Sequence, residues 1–298
     1  MASWDEILKE TRAPQISQID KVRRGYIAKL SKYTERNVIA YYSSWLSKNN
    51  TALNTDINDS DMTGFMNCIQ GLTCQKGLDL ILHTPGGSPA AAESIVKYLR
   101  IKFNNDIRVI VPHLSMSAGT MIACSAKEII MGNHSYLGPI DPQFSGIPAY
   151  NIKQEFEEAK DDLAKHPENA QYWAIKLQQY PAAFMKSAID AIDLSSELIK
   201  DWLGTCMYDK NKDKKVITNI VNNLNEHKSS KIHGRHLDAD FCENIGLKIV
   251  RLEEDDELQD DVLSIHHAFM ITFDSTQAVK IIENQNGKAT ISTVGRNQ

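Results

Sequence analysis

Two short segments rich in glycine and serine carry groups suited to acyl chemistry. One is PGGS at 85–88 and the other is SMSAGT at 115–120. Ser117 is expected to stand at the start of a helix, where the positive end of the helix dipole favours negative charge on a hydroxyl oxygen. Backbone N–H groups beside the two turns could stabilise a tetrahedral oxyanion; they belong to Gly86, Gly87 and Ala118. Each segment alone also fits a plain tight turn or a phosphate-binding loop.

Other ligand classes receive little support. The sequence contains neither the GxxxxGK[ST] phosphate loop nor GxGxxG, which disfavours a nucleotide site. The net charge is −5 with a pI of about 6.0, so no basic field favours nucleic acid or anionic lipid. No run approaches the roughly 18 apolar residues of a membrane span. The charged N-terminus and the odd count of five cysteines predict a cytoplasmic protein with reduced thiols.

The elements around the two turns predict an α/β fold. Leu78–His83 is a compact apolar strand that ends at the first turn, and a helix follows with Ser88 as N-cap and Pro89 at its first position. Further apolar strands are predicted at 108–112 and 128–131. Buried strands joined by helical crossovers indicate a mostly parallel sheet, with the turns at its carboxyl edge, where ligands bind in such folds.

The motifs together resemble a known family. HTPGGS, then SMSAGTMIACSAKEIIMGNHSYLGPIDPQ, and more weakly HGRHLDADFCENIGLKIV, are similar to the serine dehydrogenase proteinase family, which lies within the Clp-protease and signal-peptide-peptidase group. The resemblance implies a Clp-protease/crotonase-like fold with crossover helices. Nearly pure helix at 150–227 is then a helical insertion, and a C-terminal β-hairpin follows.

The resemblance also implies catalytic roles. Ser117 would be the nucleophile, and Gly86, Gly87 and Ala118 would supply the oxyanion hole. Compared with Clp subunits, the positions of the base and of its carboxylate are exchanged: Asp141 stands where they have histidine, and His233 where they have aspartate. Because geometry rather than chain order defines a triad, we expect His233 to take the serine proton and Asp141 to orient the imidazole.

A lysine base is the alternative, because signal-peptide peptidases of this fold use a Ser–Lys dyad. A buried lysine can be neutral enough to accept a proton. The insertion offers several lysines, of which Lys200, between apolar neighbours, is preferred: Lys153, Lys160, Lys176, Lys186 and Lys200.

The resemblance further implies a peptide or protein substrate and a homo-oligomer, either a ring or stacked trimers, with an unidentified regulatory partner possible. Three residues at the first turn are expected to line the substrate pocket: His83, Pro85 and Ser88. For His83 a packing role at the end of the strand is equally consistent with the sequence. Neither a cofactor nor a metal ion is expected. Two other functions stay open, namely acyl-CoA chemistry on the same oxyanion hole and a catalytically silent oligomeric binding module.

The chain is predicted to have three parts. Residues 1–36 form N-terminal helices, the first at 4–9, and residues 37–252 form the catalytic domain. Residues 253–298 form an acidic linker and a C-terminal β extension. The acidic run 253–257 is expected to be a solvated linker. Strands are predicted at 268–273, just after His266 and His267, and at 278–283 and 289–294, with the last two joined by a turn at Asn286-Gly287.

Overall fold

The structure is a computed structural model that describes residues 18–48, 53–144, 146–225 and 233–294. The predicted helix at 4–9 lies outside these residues. Within them, no helix combines the length and the apolar character needed to cross a membrane.

The centre of the fold is a seven-stranded, mostly parallel sheet in the order β11-β10-β1-β2-β3-β5-β9. Strands β1, β2, β3, β5 and β9 run parallel to one another. Strand β10 pairs antiparallel with both β1 and β11. Short strands β4 and β6 pair beside the sheet, and β7 pairs with β8. The strands are β1 Asn37–Ser43, β2 Leu78–His83, β3 Ile107–Val111, β4 Leu114–Ser115, β5 Glu128–Met131, β6 Tyr136–Leu137, β7 Gln143–Phe144, β8 Ile147–Pro148, β9 Ile249–Arg251, β10 Ala278–Asn284 and β11 Ala289–Thr293.

Helices cover both faces of this sheet and build the insertion. The described α-helices are α1 Gln18–Thr34, α2 Asp61–Ile69, α3 Pro89–Phe103, α4 Ala118–Cys124, α5 Ala149–Lys165, α6 Ala170–Leu177, α7 Phe184–Trp202, α8 Lys214–Asn225, α9 Ala239–Ile245 and α10 Asp256–Ser275. The α/β prediction is confirmed, and so are the helical character of the insertion and the C-terminal hairpin, which β10 and β11 form.

Strand β2 shows how the sheet separates two cores. Successive side chains of a strand point to opposite faces. Leu80 and Leu82 therefore pack into the core that contains α3 and α4, whereas Ile81 packs into the core beneath α1 and α10. All six residues of β2 are buried, which explains why four of them are leucine or isoleucine on both faces instead of alternating with exposed polar residues.

The prediction for residues 253–273 is wrong. Residues 252–254 form a 3₁₀ turn, and α10 covers residues 256–275, so the acidic run is not a linker and 268–273 is not a strand. The Asp255 carboxylate caps the helix by accepting from Leu258 N at 3.0 Å, and acidic residues in the first turn suit the helix dipole. Leu258, Val262 and Ile265 then form a buried stripe at helical spacing. His266 and His267 consequently lie on a helix.

The C-terminal hairpin is part of the central sheet. Strand β10 pairs antiparallel with β1, from Ile39 opposite Asn284 to Ser43 opposite Lys280. All seven residues of β10 are buried. The hairpin therefore extends the same sheet that carries the two turns.

Candidate active site

The two glycine- and serine-rich turns touch each other at the carboxyl edge of β2 and β3. A Cβ atom built on Gly86 would lie 2.7 Å from Ser117 Cβ and 2.8 Å from Met116 O. Gly86 itself has φ +102°, a positive value that glycine adopts readily and other residues rarely do. The first turn therefore needs glycine both for its backbone conformation and for its close approach to Ser117.

Thr84 connects the two turns. Its N–H donates to Leu114 O at 3.1 Å, and its carbonyl accepts from Met116 N at 3.0 Å. Its hydroxyl accepts from Gly86 N at 3.2 Å. Thr84 is fully buried, so these hydrogen bonds fix the separation of the turns in a water-excluded setting. The sequence does not predict this role for Thr84, because nothing local marks a threonine as the connection between two crossovers.

Ser117 has a strained backbone. Its φ of +51° and ψ of −115° lie outside the regions that residues with a side chain normally adopt. Such outliers cluster at functional sites, where surrounding structure holds them in place. The residue is half-buried and is the N-cap of α4, so the adjoining N–H of Ala118, at the first helical position, has no acceptor within the helix.

Gly87 has a defined orientation because its neighbours pair with Ile57. Ile57 N donates to Gly86 O at 2.7 Å, and Ser88 N donates to Ile57 O at 2.8 Å. The Gly86 carbonyl and the Gly87 N–H belong to one trans peptide group and point in opposite directions, so the Gly87 N–H points away from Ile57. A Cβ on Gly87 would lie 2.4 Å from Ile57 N and O, so the close pairing requires glycine here.

His233 and Asp141 form the hydrogen-bonded pair that the exchanged positions suggested. His233 Nδ1 lies 2.8 Å from Asp141 Oδ1. Asp141 is 1% exposed, and its other oxygen accepts from Gln143 Nε2 at 2.7 Å. An ionised carboxylate only accepts hydrogen bonds, so this contact suits the tautomer in which Nδ1 donates to Asp141 and Nε2 is left without a proton. The His233 side chain is 31% exposed, so Nε2 can receive a proton from a bound reactant.

Backbone pairing brings the His233 loop towards the serine turn. Leu237 and Leu137 exchange two hydrogen bonds, of 2.9 and 3.0 Å. The next residue, Gly138, packs so closely on the serine turn that a Cβ there would lie 3.2 Å from Met116 Cα. Among the described residues the Ser117 hydroxyl has no hydrogen-bond partner; such contacts commonly tighten when substrate binds.

The lysines of the insertion are less suited to act as a base. Lys200 is exposed on α7, so it lacks the burial on which the dyad alternative depends. Lys176 pairs with Glu155 at 2.6 Å, and Lys186 forms an ion pair with Asp190. The hydrogen bond to Glu155 raises the pKa of Lys176, and a protonated ammonium cannot accept a proton.

The three residues of the first turn that are predicted to line a pocket differ in their exposure to solvent. Pro85 is half-buried and Ser88 is exposed, with the Ser88 hydroxyl capping α3 by accepting from Ala91 N at 3.2 Å. His83 has no exposed surface and packs under the turn instead of lining an open pocket. As a strand residue next to Leu82 it points to the opposite face of the sheet.

His83 belongs to a cluster of imidazoles beneath the turns. Its ring centre lies 5.8 Å from that of His113 and 5.3 Å from that of His266. Burial, followed by the neighbouring histidines, lowers the pKa of His83 to about 3 and the pKa of His266 to about 4. The pKa of His113 is lowered by burial as well. The cluster is therefore neutral at pH 7.

We expect this cluster to make the fold acid-sensitive. His83 and His266 bind protons in the unfolded chain below about pH 6.5 but in the folded chain only near pH 3 and 4. Stability should therefore fall as the pH drops through this window, by about 1.4 kcal/mol per pH unit for each histidine. Urea unfolding between pH 7 and pH 4.5 measures the slope.

The matched variants are H266N, which removes one buried imidazole, and H166N, which removes an exposed one. We expect H266N to reduce the slope of the unfolding free energy against pH by about 1.4 kcal/mol per pH unit, the contribution of one proton. H166N should leave this slope unchanged. Equal slopes in the wild type and H266N would refute this assignment.

The geometry defines an α/β protein in which a strained serine at a helix start contacts a glycine turn at the carboxyl edge of a parallel sheet. Comparison with known proteins adds the family. Residues 13–228 match the ClpP-like SDH-type serine proteinases. The chain belongs to this family, which confirms the resemblance found in the motifs.

Two relatives come from Methanocaldococcus jannaschii, and both are named as uncharacterized proteins. MJ0137 is 42% identical over 108 residues, which is 36% of this chain and 37% of the relative. MJ1495 is 43% identical over 79 residues, 26% of this chain and 27% of the relative. The chain thus matches about a third of the length of these relatives or less, and their names carry no activity to it.

Proposed function

We propose that the protein is a serine peptidase that hydrolyses peptide bonds, with Ser117 as nucleophile, His233 as base and Asp141 as the group that orients the base. The observation that carries the proposal is the contact between the Gly86 turn and Ser117. This contact supports the proposal that the half-buried Ser117 faces the backbone N–H groups of Gly87 and Ala118, since a Cβ on Gly86 would also lie 3.2 Å from Ala118 N. The hydrogen bond between His233 and Asp141 supports the choice of base.

The proposed acylation step uses these groups in turn. Ser117 Oγ attacks the peptide carbonyl carbon while its proton passes to His233 Nε2. The carbonyl oxygen becomes an oxyanion, which the Gly87 and Ala118 N–H groups stabilise. Collapse of the tetrahedral intermediate breaks the C–N bond, and the imidazolium returns the proton to the leaving amine.

Deacylation repeats the sequence with water in place of the amine. His233 takes a proton from water, the hydroxide attacks the acyl-enzyme carbonyl, and Ser117 Oγ leaves and regains the proton. Asp141 stabilises the imidazolium through the hydrogen bond to His233 Nδ1. The two half-reactions together therefore return Ser117 and His233 to their starting states.

Family membership supports the proposed substrate and assembly. ClpP-like proteinases act on polypeptides and assemble into oligomers, and we extend both properties to this chain as part of the proposal. The acyl-CoA alternative and the silent-module alternative become outcomes of the test.

The test is incubation of purified protein with an unfolded protein substrate, with mass spectrometry of the products, beside a CoA-binding titration. We expect new peptide termini whose formation is blocked by a fluorophosphonate, and no binding of CoA. Binding of CoA without peptide cleavage would favour acyl-CoA chemistry. Neither activity would favour the silent module and contradict the proposal.

The contact between Gly86 and Ser117 gives a prediction about a single methyl group. G86A places a Cβ within 2.8 Å of both Ser117 Cβ and Met116 O and displaces the nucleophile, so we expect kcat/KM to fall by about 100-fold. The strained φ should also cost about 1–3 kcal/mol of stability. Peptide hydrolysis rates and thermal melting measure the two effects.

Gly71 supplies the matched control for G86A. It has φ +83° and nothing within 4 Å of a built Cβ, so G71A carries the backbone strain without the contact. We expect G71A to lose stability and keep its kcat/KM. Wild-type kcat/KM in G86A would show that this contact does not position the nucleophile.

A further inference from the structure

A buried ion pair lies behind the glycine turn, on the side away from Ser117. Lys280 of β10 and Asp61 of α2 are each 3% exposed, and Lys280 Nζ lies 2.8 Å from Asp61 Oδ1. We propose that Lys280 and Asp61 are positioning residues that hold residues 56–58 against the Gly86–Ser88 segment and thereby aim the Gly87 N–H at the oxyanion. This inference rests on the proposed function.

The pair holds residues 56–58 at two points. Lys280 Nζ donates to Asp56 O at 2.6 Å, and Asp61 Oδ2 accepts from Asn58 N at 3.0 Å. The two contacts lie on either side of Ile57. The ion pair therefore fixes the backbone on both sides of this residue.

Ile57 passes this constraint to the glycine turn. It is 1% exposed, and its N–H and carbonyl pair with Gly86 O and Ser88 N. The carbonyl and the N–H that flank Gly87 are thus both held by one residue, and the Gly87 N–H can point only to the opposite side. A shift of Ile57 would turn the Gly87 N–H away from the position of the oxyanion.

The chemistry of the Lys280–Asp61 pair indicates that it orients the neighbouring backbone more than it stabilises the fold. Asp61 is satisfied by Lys280, by Asn58 N and by the Tyr41 hydroxyl, which donates to Oδ2 at 2.9 Å. A buried ion pair adds little net stability compared with apolar residues of the same volume, because desolvation offsets the attraction. What it provides is direction, since each hydrogen bond has a preferred angle.

The location of Lys280 is itself informative. It lies in the C-terminal hairpin, beyond the residues 13–228 that match the family, and it is a charged residue in the otherwise apolar run AVKII of β10. Under this proposal the hairpin contributes to catalysis indirectly, because it supplies the ammonium group that holds residues 56–58 behind the oxyanion hole.

The test compares two variants that each break a buried ion pair on β10. K280M removes the ammonium but keeps much of the side-chain volume. E283Q disrupts the pair between Glu283 and Arg23, which are both fully buried and 2.6 Å apart. Glu283 makes no described contact with residues 56–58, so E283Q controls for loss of stability. All measurements are made below the melting temperatures of both variants.

We expect K280M to lower kcat by about 10- to 100-fold with KM changed by less than about threefold, because the oxyanion forms only after substrate is bound. A peptide aldehyde, which forms a tetrahedral adduct, should bind more weakly by the same factor. Amide hydrogen exchange at Ile57 and Ser88 should become faster. E283Q should keep kcat, aldehyde affinity and both exchange rates.

The positioning role is wrong if K280M keeps wild-type kcat, or if E283Q loses as much. If the wild-type protein neither hydrolyses peptides nor reacts with a fluorophosphonate, the proposed function fails instead. Exchange at Ile57 and Ser88 then still decides the positioning role, because unchanged exchange in K280M would refute it.

Discussion

S117A should abolish peptide hydrolysis and leave the fold intact. Removing the nucleophile of a serine peptidase costs about 10⁴- to 10⁶-fold in kcat, since only oxyanion and substrate binding remain. Ser117 makes no described side-chain hydrogen bond, and alanine keeps its Cβ, so the melting temperature should change little. The measurement is the hydrolysis rate of a fluorogenic peptide, beside thermal melting and the oligomeric mass.

Ser94 provides the control for S117A. It is an exposed serine on α3, and S94A should retain the full rate in a preparation made in the same way. That comparison separates a specific loss from a poor preparation. Substantial hydrolysis by S117A, after contaminating peptidases are excluded, would remove Ser117 from the mechanism.

H233A should lose nearly as much activity as S117A. Without the imidazole the serine proton has no acceptor at the site, and the residues of a triad act as a unit, so we expect a fall of about 10⁴-fold or more in kcat. D141N should lose less than H233A but still about 10³- to 10⁴-fold, because an amide can bind the wrong imidazole tautomer. The rates are measured with the same fluorogenic peptide.

K200A is the comparison that separates the triad from the dyad. Lys200 is exposed, so we expect K200A to hydrolyse the peptide within about threefold of the wild-type rate, as surface substitutions generally do little. A large loss in K200A together with near-normal hydrolysis in H233A would reverse the assignment of the base.

The parts of the fold that sequence predicted well are those with local signals. Leu78–His83 is bounded by glycine and by the proline turn, and its predicted limits are confirmed. The helix after it has Ser88 as N-cap and proline at its first position, as predicted. The turn at Asn286-Gly287 is a strong hairpin signal, and β10 and β11 pair around it.

The error at α10 has a physical origin. A run of acidic residues is read as solvated chain when charge alone is considered. The same residues favour a helix start, because they complement the dipole and because Asp255 caps it. The apolar stripe that follows then extends the helix through residues 268–273, for which the sequence pattern predicts a strand.

The candidate site was only partly accessible from sequence. Ser117 and the glycine turn are marked by local motifs, and the His233–Asp141 hydrogen bond was expected from the family pattern, although the catalytic roles stay predictions. Lys280 and Ile57 were missed, since their importance depends on tertiary pairing between distant segments. The sequence leaves the burial of His83 undecided between a pocket and a packing role, because a motif does not reveal which face of the sheet a strand-end residue occupies.

Covalent trapping with a peptidyl phosphonate tests the first chemical step of the proposed mechanism, the attack by Ser117, most directly. The reagent phosphonylates an activated serine, and digestion with mass spectrometry identifies the modified residue. We expect a single adduct on Ser117 in the wild type and none in either S117A or H233A. An adduct on another residue, or cleavage of peptides by a protein that the reagent does not label, would contradict nucleophilic catalysis by Ser117.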